Sequence, residues 1–335
     1  MARTNIVIEY EKRLFKLLKR IALLSRKFCD CYCIPDGLSN ILTIKSMGYE
    51  LTKEMLYSNE LSYDYDYYTF AKSTKTLNAI IYLLKDKEYN YNEDVLILLR
   101  SIFENHILSR FFRENIDDCN FKERERLIKD FIKNPIGLEY DFYNKEGIKI
   151  KNNKGEVIGQ VHNPGKYKMK GDAIYYPSFY SYLCNYSHCS FGTIESYFDG
   201  AAFYYNKNRN RLENMLFTLF VFTKLLEGIV TVDGENFSSF EEEKKYYDLV
   251  YDSLELQKEV FDFLLQKYRT SSITRDKIVI QYYMDENELN VSNKLMVYML
   301  THMKKSLDDR EIGSIKKDDI STDGKYIRYY PEYEL

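Results

Sequence analysis

The chain has no tryptophan and only 5 prolines, 14 glycines and 4 histidines in 335 residues. So few helix breakers, in a chain that is 45% hydrophobic and 30% charged, exclude a disordered or loop-rich polypeptide and predict long helices. Long apolar runs are missing as well. The best candidate, Met215 to Val230, is interrupted by Lys224 and Glu227 and falls short of the roughly 20 apolar residues that cross a bilayer. The opening Met-Ala-Arg-Thr-Asn leads into a charged helix rather than an apolar signal segment, so a cytoplasmic protein without membrane association is expected.

A net charge of −3 supplies no global field for nucleic acid, which leaves only local basic patches as contacts of that kind. The 6 cysteines are expected to be reduced thiols in the absence of a secretory signal. Three of them alternate in Cys29-Asp30-Cys31-Tyr32-Cys33, which lacks the Cys-x-x-Cys geometry of a zinc site and reads as small side chains where the first helix ends. The 33 tyrosines reflect a low-GC genome as much as chemistry, and their number alone is no stacking platform.

What is present is helical periodicity. Ile8, Phe15, Leu18, Ile21, Leu24 and Phe28 recur mostly at three and four and predict an amphipathic helix over 6–28. Its other face carries Lys12, Lys16, Lys19 and Arg20 as candidate nucleic-acid contacts; residues 1–30 hold eight Lys or Arg against three Asp or Glu, an excess of five. Further helices are predicted near 68–84, from an Asn92 cap to Phe112, near 121–132, over 179–188 after a break at Pro177-Ser178, over 209–230, over 239–267 and over 286–306. The 209–230 helix is apolar on most faces and should lie at the centre of a bundle. Between 139 and 176, alternation in Ile148-Lys149-Ile150-Lys151 and a turn at Asn153-Lys154-Gly155 predict a small β-hairpin-like insertion bearing a second basic patch. A short β-like run is expected over 277–283. The expected fold is therefore all-α in the main, a multi-helix bundle. Residues 1–66 form a basic amphipathic helix and connection, 67–270 the bundle core with its insertion at 139–176, and 271–335 a C-terminal accessory segment.

The chemically unusual element is the helix of residues 95–112. Arg100 lies in apolar surroundings and needs an acceptor; Glu104 stands four residues on, about 40° around the helix, and shares its face. A buried ion pair is costly to build, so the pair either fixes one packing arrangement or marks a polar active site. His188, at the end of the 179–188 helix, is the candidate third member, able to move a proton near neutral pH while Arg100 holds a phosphate and Glu104 orients both. Its structural alternative is a favourable charge at a helix carboxyl end. His106 is the competing choice, although six steps place it about 120° from Arg100.

Other chemistries lack their motifs. There is no Gly-rich phosphate loop, no His-Glu-x-x-His and no Gly-x-Ser-x-Gly. Paired Glu-x-x-His motifs of a di-iron bundle are also missing, so neither a metal nor a cofactor is expected. His162 and His302 read as surface or boundary residues.

Two resemblances bear on function. The run from Arg100 to His106 resembles the Arg-x4-6-His spacing of the HEPN superfamily, helical and often dimeric ribonucleases of toxin and phage-defence systems. The Arg-Ser-x-x-Glu-Asn stretch at Arg100 to Asn105, with Tyr180, Leu183 and His188 some 80 residues later, resembles a large bacterial helical family of unknown function over about residues 67–230. These resemblances imply a metal-independent ribonuclease or RNA-binding protein, a homodimer, with Arg100, Glu104 and His188 or His106 at its site. The alternative is a non-enzymatic interaction or regulatory protein whose buried polar residues are structural.

Overall fold

From Arg211 to Leu226 every residue is buried, which makes the helix Arg211–Val232 the axis on which the others pack. The computed structural model describes residues 2–31, 61–86, 91–116, 120, 139–141, 149–151, 157–160, 164–187, 193, 197, 202–203, 210–232, 240–270 and 286–308. The helices are α1 (Ala2–Cys31), α2 (Leu61–Lys85), α3 (Asn92–Ile116), the one-turn α4 (Lys170–Ala173), α5 (Tyr176–Ser187), α6 (Arg211–Val232), α7 (Phe240–Thr270) and α8 (Glu286–Asp308). The protein is thus an all-α, multi-helix fold, with one small sheet described between α3 and α4. That sheet has three short antiparallel strands in sequence order, β1 (Glu139–Asp141), β2 (Lys149–Lys151) and β3 (Val157–Gln160). None of the described helices is long and apolar enough to cross a membrane.

Helix α6 packs against α1, α2, α3 and α7, while α3 also packs against α2 and α5, and α8 rests on α7 and α5. The core follows from the apolar stripes: Leu14, Leu18 and Ile21 of α1, Phe70 and Leu77 of α2, Leu99 and Phe103 of α3, Phe179 of α5 and Phe261 of α7 are all fully buried. Burying such side chains stabilises by about 1.5–3 kcal/mol each relative to exposure. Aromatic edges meet faces through this core, as in Phe103 with Phe179 (5.0 Å) and Phe220 with Phe261 (5.8 Å). The basic face of α1 is partly neutralised by α7: Arg13 donates to both Glu259 carboxylate oxygens at 2.6 and 3.0 Å, and Arg20 reaches Asp252 at 3.4 Å.

Several element boundaries differ from the sequence reading for physical reasons. The 179–188 helix begins at Tyr176, and Pro177, expected as a break, occupies its first turn, where a missing N–H costs nothing. Ser178 does not cap forward; its hydroxyl donates back to the Tyr175 carbonyl at 3.1 Å. The helix expected near 121–132 and the β-like run at 277–283 lie outside the described residues.

Polar bolts cross the core. Buried Asp66 of α2 accepts from Ser109 and, at 3.1 Å, from Arg113, both on α3, and Arg113 also reaches the Gly228 carbonyl of α6 at 3.4 Å. Arg211 donates to the Leu84 carbonyl, tying α6 to the end of α2. A Cβ at Gly228 would stand 2.9 Å from Arg113 Nη1. Alanine there gains about 1 kcal/mol of helix propensity but pushes the tip of the part-exposed Arg113 side chain away from Asp66 and the Gly228 carbonyl, weakening two bonds worth about 1.5–3 kcal/mol each as hydrogen bonds of a charged group. Gly228→Ala should therefore lower stability in urea unfolding; an unchanged or higher midpoint would show that Arg113 yields freely.

Candidate functional site

Helix α3 carries the polar residues singled out from the sequence, and the structure distributes them between two clusters rather than one. At its amino-terminal half Arg100 Nε donates to Glu104 Oε1 at 2.9 Å, as the four-residue spacing requires. Tyr180 of α5 closes the triangle: its hydroxyl accepts from Arg100 Nη2 and donates to the same Glu104 oxygen, each at 3.0 Å. The expectation that this pair lies within apolar core is corrected, because the two side chains retain 26% and 30% of their surface. They sit at the rim where α5 crosses α3, with the apolar neighbours Leu99, Ile102 and Phe103 turned inward.

The rim cluster extends along α5. The Arg100 guanidinium lies 5.2 Å from the Tyr180 ring centre, Tyr180 stacks on Tyr176 at 5.0 Å and 12°, and Lys168 Nζ lies 5.8 Å from the Tyr176 ring. This is a ladder of cation, two stacked phenols and cation. Tyr176 and Tyr180 are one helical turn apart, which places both rings on the α3-facing side. Burial first and the Glu104 carboxylate next raise the Tyr180 phenol above its usual range, so at neutral pH it is a hydrogen-bond donor.

Two turns further along α3 the second cluster is buried. Asp172, with no exposed surface, accepts from Arg110 Nη1 at 3.1 Å, from the Tyr175 hydroxyl at 2.5 Å and faces His106 Nε2 at 3.3 Å. Lys224 of α6 brings its ammonium to 3.9 Å from the same carboxylate and lies over the Phe220 and Tyr175 rings at 4.9 and 5.2 Å. Arg110 also donates to Glu114 at 2.8 Å. Backbone approach is tight here, since a Cβ at Gly171 would meet Arg110 Nη1 at 3.3 Å. Burial by itself would raise the Asp172 carboxyl, but His106, Lys224 and Arg110 together hold it well below the usual carboxylate range. Burial pushes His106 down, outweighing the opposite pull of Asp172.

His106 therefore does not join Arg100. It belongs with Arg110, four residues on and on the same face, and with elements that the sequence separates by more than 60 residues. His188 lies outside the described residues. On α1, Lys12, Lys16, Lys19 and Arg20 are exposed, and Arg20 pairs with Asp252 of α7. Sequence reasoning missed Arg110, Asp172, Tyr175 and Lys224. Two signals were readable: Arg110-x-x-x-Glu114 repeats the Arg100-x-x-x-Glu104 spacing, and Lys224 is the cation in the largely apolar run from Met215 to Val230. Nothing local to Asp172 distinguishes it from a surface aspartate. Among the described residues no group of three or more His, Cys, Asp or Glu side chains is arranged to hold a metal ion.

Fold and clusters together define a helix bundle with one polar-threaded helix, α3, at the meeting of α2, α5 and α6. Over residues 64–162, less than a third of its 335 residues, the chain is similar to a family of unknown function (DUF5677). That stretch contains Arg100, Glu104 and His106 and stops short of Asp172, Tyr176 and Tyr180. No curated protein and no solved structure matches the chain.

The buried cluster sets an acid limb on stability. His106 has a folded pKa below its unfolded value of about 6.5, so the unfolded chain binds the proton first and stability falls as pH drops below about 6.5, by up to about 1.4 kcal/mol per pH unit. Asp172, also depressed, adds a second loss below about pH 4. In urea titrations from pH 7.5 to 5, His106→Gln should flatten the first limb; an equally steep limb would assign it elsewhere. Asp172→Asn, which removes the shared counter-charge of Arg110 and Lys224, should cost about 3–5 kcal/mol at pH 7, and a loss under about 1 kcal/mol would refute the shared role.

Proposed function

We propose that this protein binds RNA through the rim ladder of Arg100, Tyr180, Tyr176 and Lys168, and acts on it without a metal. The observation that carries the reading is the ladder itself. Single-stranded nucleic acid is held by cations that track phosphates and by aromatic side chains between them. Here two cations flank two stacked phenols, and the hydrogen bonds that Arg100 makes to Glu104 and Tyr180 use two of the five N–H donors of its guanidinium. In this reading Arg100 contacts a phosphate, Glu104 orients it, and His188, the residue that follows the last one of α5, is the candidate acid or base. The exposed Lys12, Lys16 and Lys19 of α1 supply a second basic strip whose contribution is sequence-independent. HEPN-type use of Arg100 with His106 is not favoured, because His106 is engaged at Asp172.

A non-enzymatic interaction role is the second reading, and one observation favours it: in the buried cluster two cations, a histidine and a phenol converge on one carboxylate, the arrangement of a structural lock. Incubation with total RNA in the presence of a chelator separates the two, cleavage supporting the enzyme and intact RNA with retained binding supporting the interaction role.

The direct test is fluorescence anisotropy with a mixed-sequence single-stranded RNA. Arg100→Ala should weaken binding about tenfold or more, as for loss of a charge-assisted hydrogen bond, while stability changes by no more than about 1 kcal/mol because the pair is part-exposed. Unaltered affinity in a folded variant would remove Arg100 from the interface and end the proposal.

A further inference from the structure

Tyr176 breaks a rule that the rest of the rim obeys. Its residue is only 6% exposed, yet its hydroxyl has no hydrogen-bond partner among the described residues. A buried hydroxyl left unsatisfied costs stability, and each instance in a folded protein asks for a reason. Its neighbour Tyr180, one turn on and stacked against it, places an equivalent hydroxyl between Arg100 and Glu104. The Tyr176 hydroxyl lies in the same field, acted on by Tyr180, Glu104, Cys184 and Arg100.

Counting donors against acceptors shows what is lacking there. Glu104 Oε1 already takes two donors, Arg100 Nε and the Tyr180 hydroxyl. The remaining guanidinium N–H groups and the Tyr176 O–H are donors, and the Lys168 ammonium stands against the opposite side of the ladder with one bond to the Gly165 carbonyl at 3.0 Å. Even with the second Glu104 oxygen, Oε2, counted as open, these donors outnumber the acceptors, so the component in shortest supply is an acceptor. An oxygen-rich anion fits, whereas a cation or a further donor would leave the hydroxyl unsatisfied or meet like charge.

We infer that the Tyr176 hydroxyl is a ligand-contact group of the rim site, donating to an oxygen of a phosphoryl group seated against Arg100. The inference rests on the RNA reading and deepens it by naming the group held and a third residue that holds it. The phenol is suited to the role because burial, with Glu104 nearby, keeps it protonated at any physiological pH. A phosphoryl group reaches such a site either as part of an RNA backbone or as free phosphate, and the two sources are separable.

The test is Tyr176→Phe, which removes one oxygen and leaves the stack on Tyr180 in place. A hydroxyl satisfied only by ligand predicts a thermal midpoint equal to or above that of the parent, together with about tenfold weaker binding of single-stranded RNA. A midpoint several degrees lower would mean that the hydroxyl is bonded within the protein and would overturn the inference, as would unchanged RNA affinity. Should the parent protein bind no RNA at all, the RNA reading fails but this one is still decided by titration with inorganic phosphate. A midpoint that rises with phosphate in the parent and not in Tyr176→Phe upholds a phosphoryl seat, and equal responses, or none, overturn it.

Discussion

A carboxylate with no exposed surface survives as an anion only if the charges around it replace the water it has lost. Asp172 meets that condition with an excess: Arg110 and His106 reach it from α3, Lys224 from α6, and Tyr175 from the turn that leads into α5. Because one carboxylate is shared, the position of α4 is specified by α3, α6 and the turn into α5 at once, and α8 adds a further tie through the Ser306 hydroxyl on the Gly171 carbonyl at 3.4 Å. The cost of desolvating two cations and an anion is large, and such clusters are rarely the cheapest way to stabilise a core. What this one gives is a unique arrangement: an apolar contact between α3, α5 and α6 tolerates sliding by a turn, whereas a carboxylate bonded by Arg110 and Tyr175 and faced by His106 and Lys224 does not.

The same logic runs along the whole of α3. Arg100 is tied to α5, Asn105 to Ser73 of α2, Arg110 to α4, and Ser109 and Arg113 to α2. Successive polar residues thus address different neighbours as the helix turns, and between them Leu99, Ile102, Phe103 and Ile107 fill the core. Since the deep end of the helix is held by Asp172, the rim end can keep a polar cluster half in solvent without loosening the interface. The division of labour between a locked interior and an accessible edge follows from where on α3 each residue falls.

That division explains what could be read from the sequence. Periodicity sufficed for the helices that fall on described residues, for the central position of α6 and for the Arg100 to Glu104 pair, because each depends on spacing within one segment. It failed where a partner comes from a distant part of the chain. The Arg100 to Glu104 pair reads as lying within apolar core because the contact with Tyr180, 80 residues away, does not follow from spacing, and the helix's outward face at Arg100 cannot be told from its inward face when both carry aliphatic side chains. The HEPN-like spacing offers His106 as the competing partner of Arg100, whereas the geometry of a helix pairs it with Arg110. Pro177 reads as a break in any linear scan, and only the path of the chain from α4 shows that it opens a helix.

Of the two histidine assignments, the described residues bear on that of His106. His106 sits where any proton it takes must displace a bond in a packed cluster, so a substrate could reach it only by first opening the contact between α3 and α4. A group that moves protons during turnover needs access and a modest reorganisation cost, and neither is available beside Asp172. The rim offers both: Arg100 and Glu104 keep part of their surface, and Arg100 keeps donors beyond those it gives to Glu104 and Tyr180. Polar groups satisfied by the protein hold the fold together, and those left unsatisfied at its edge are where a ligand has something to add.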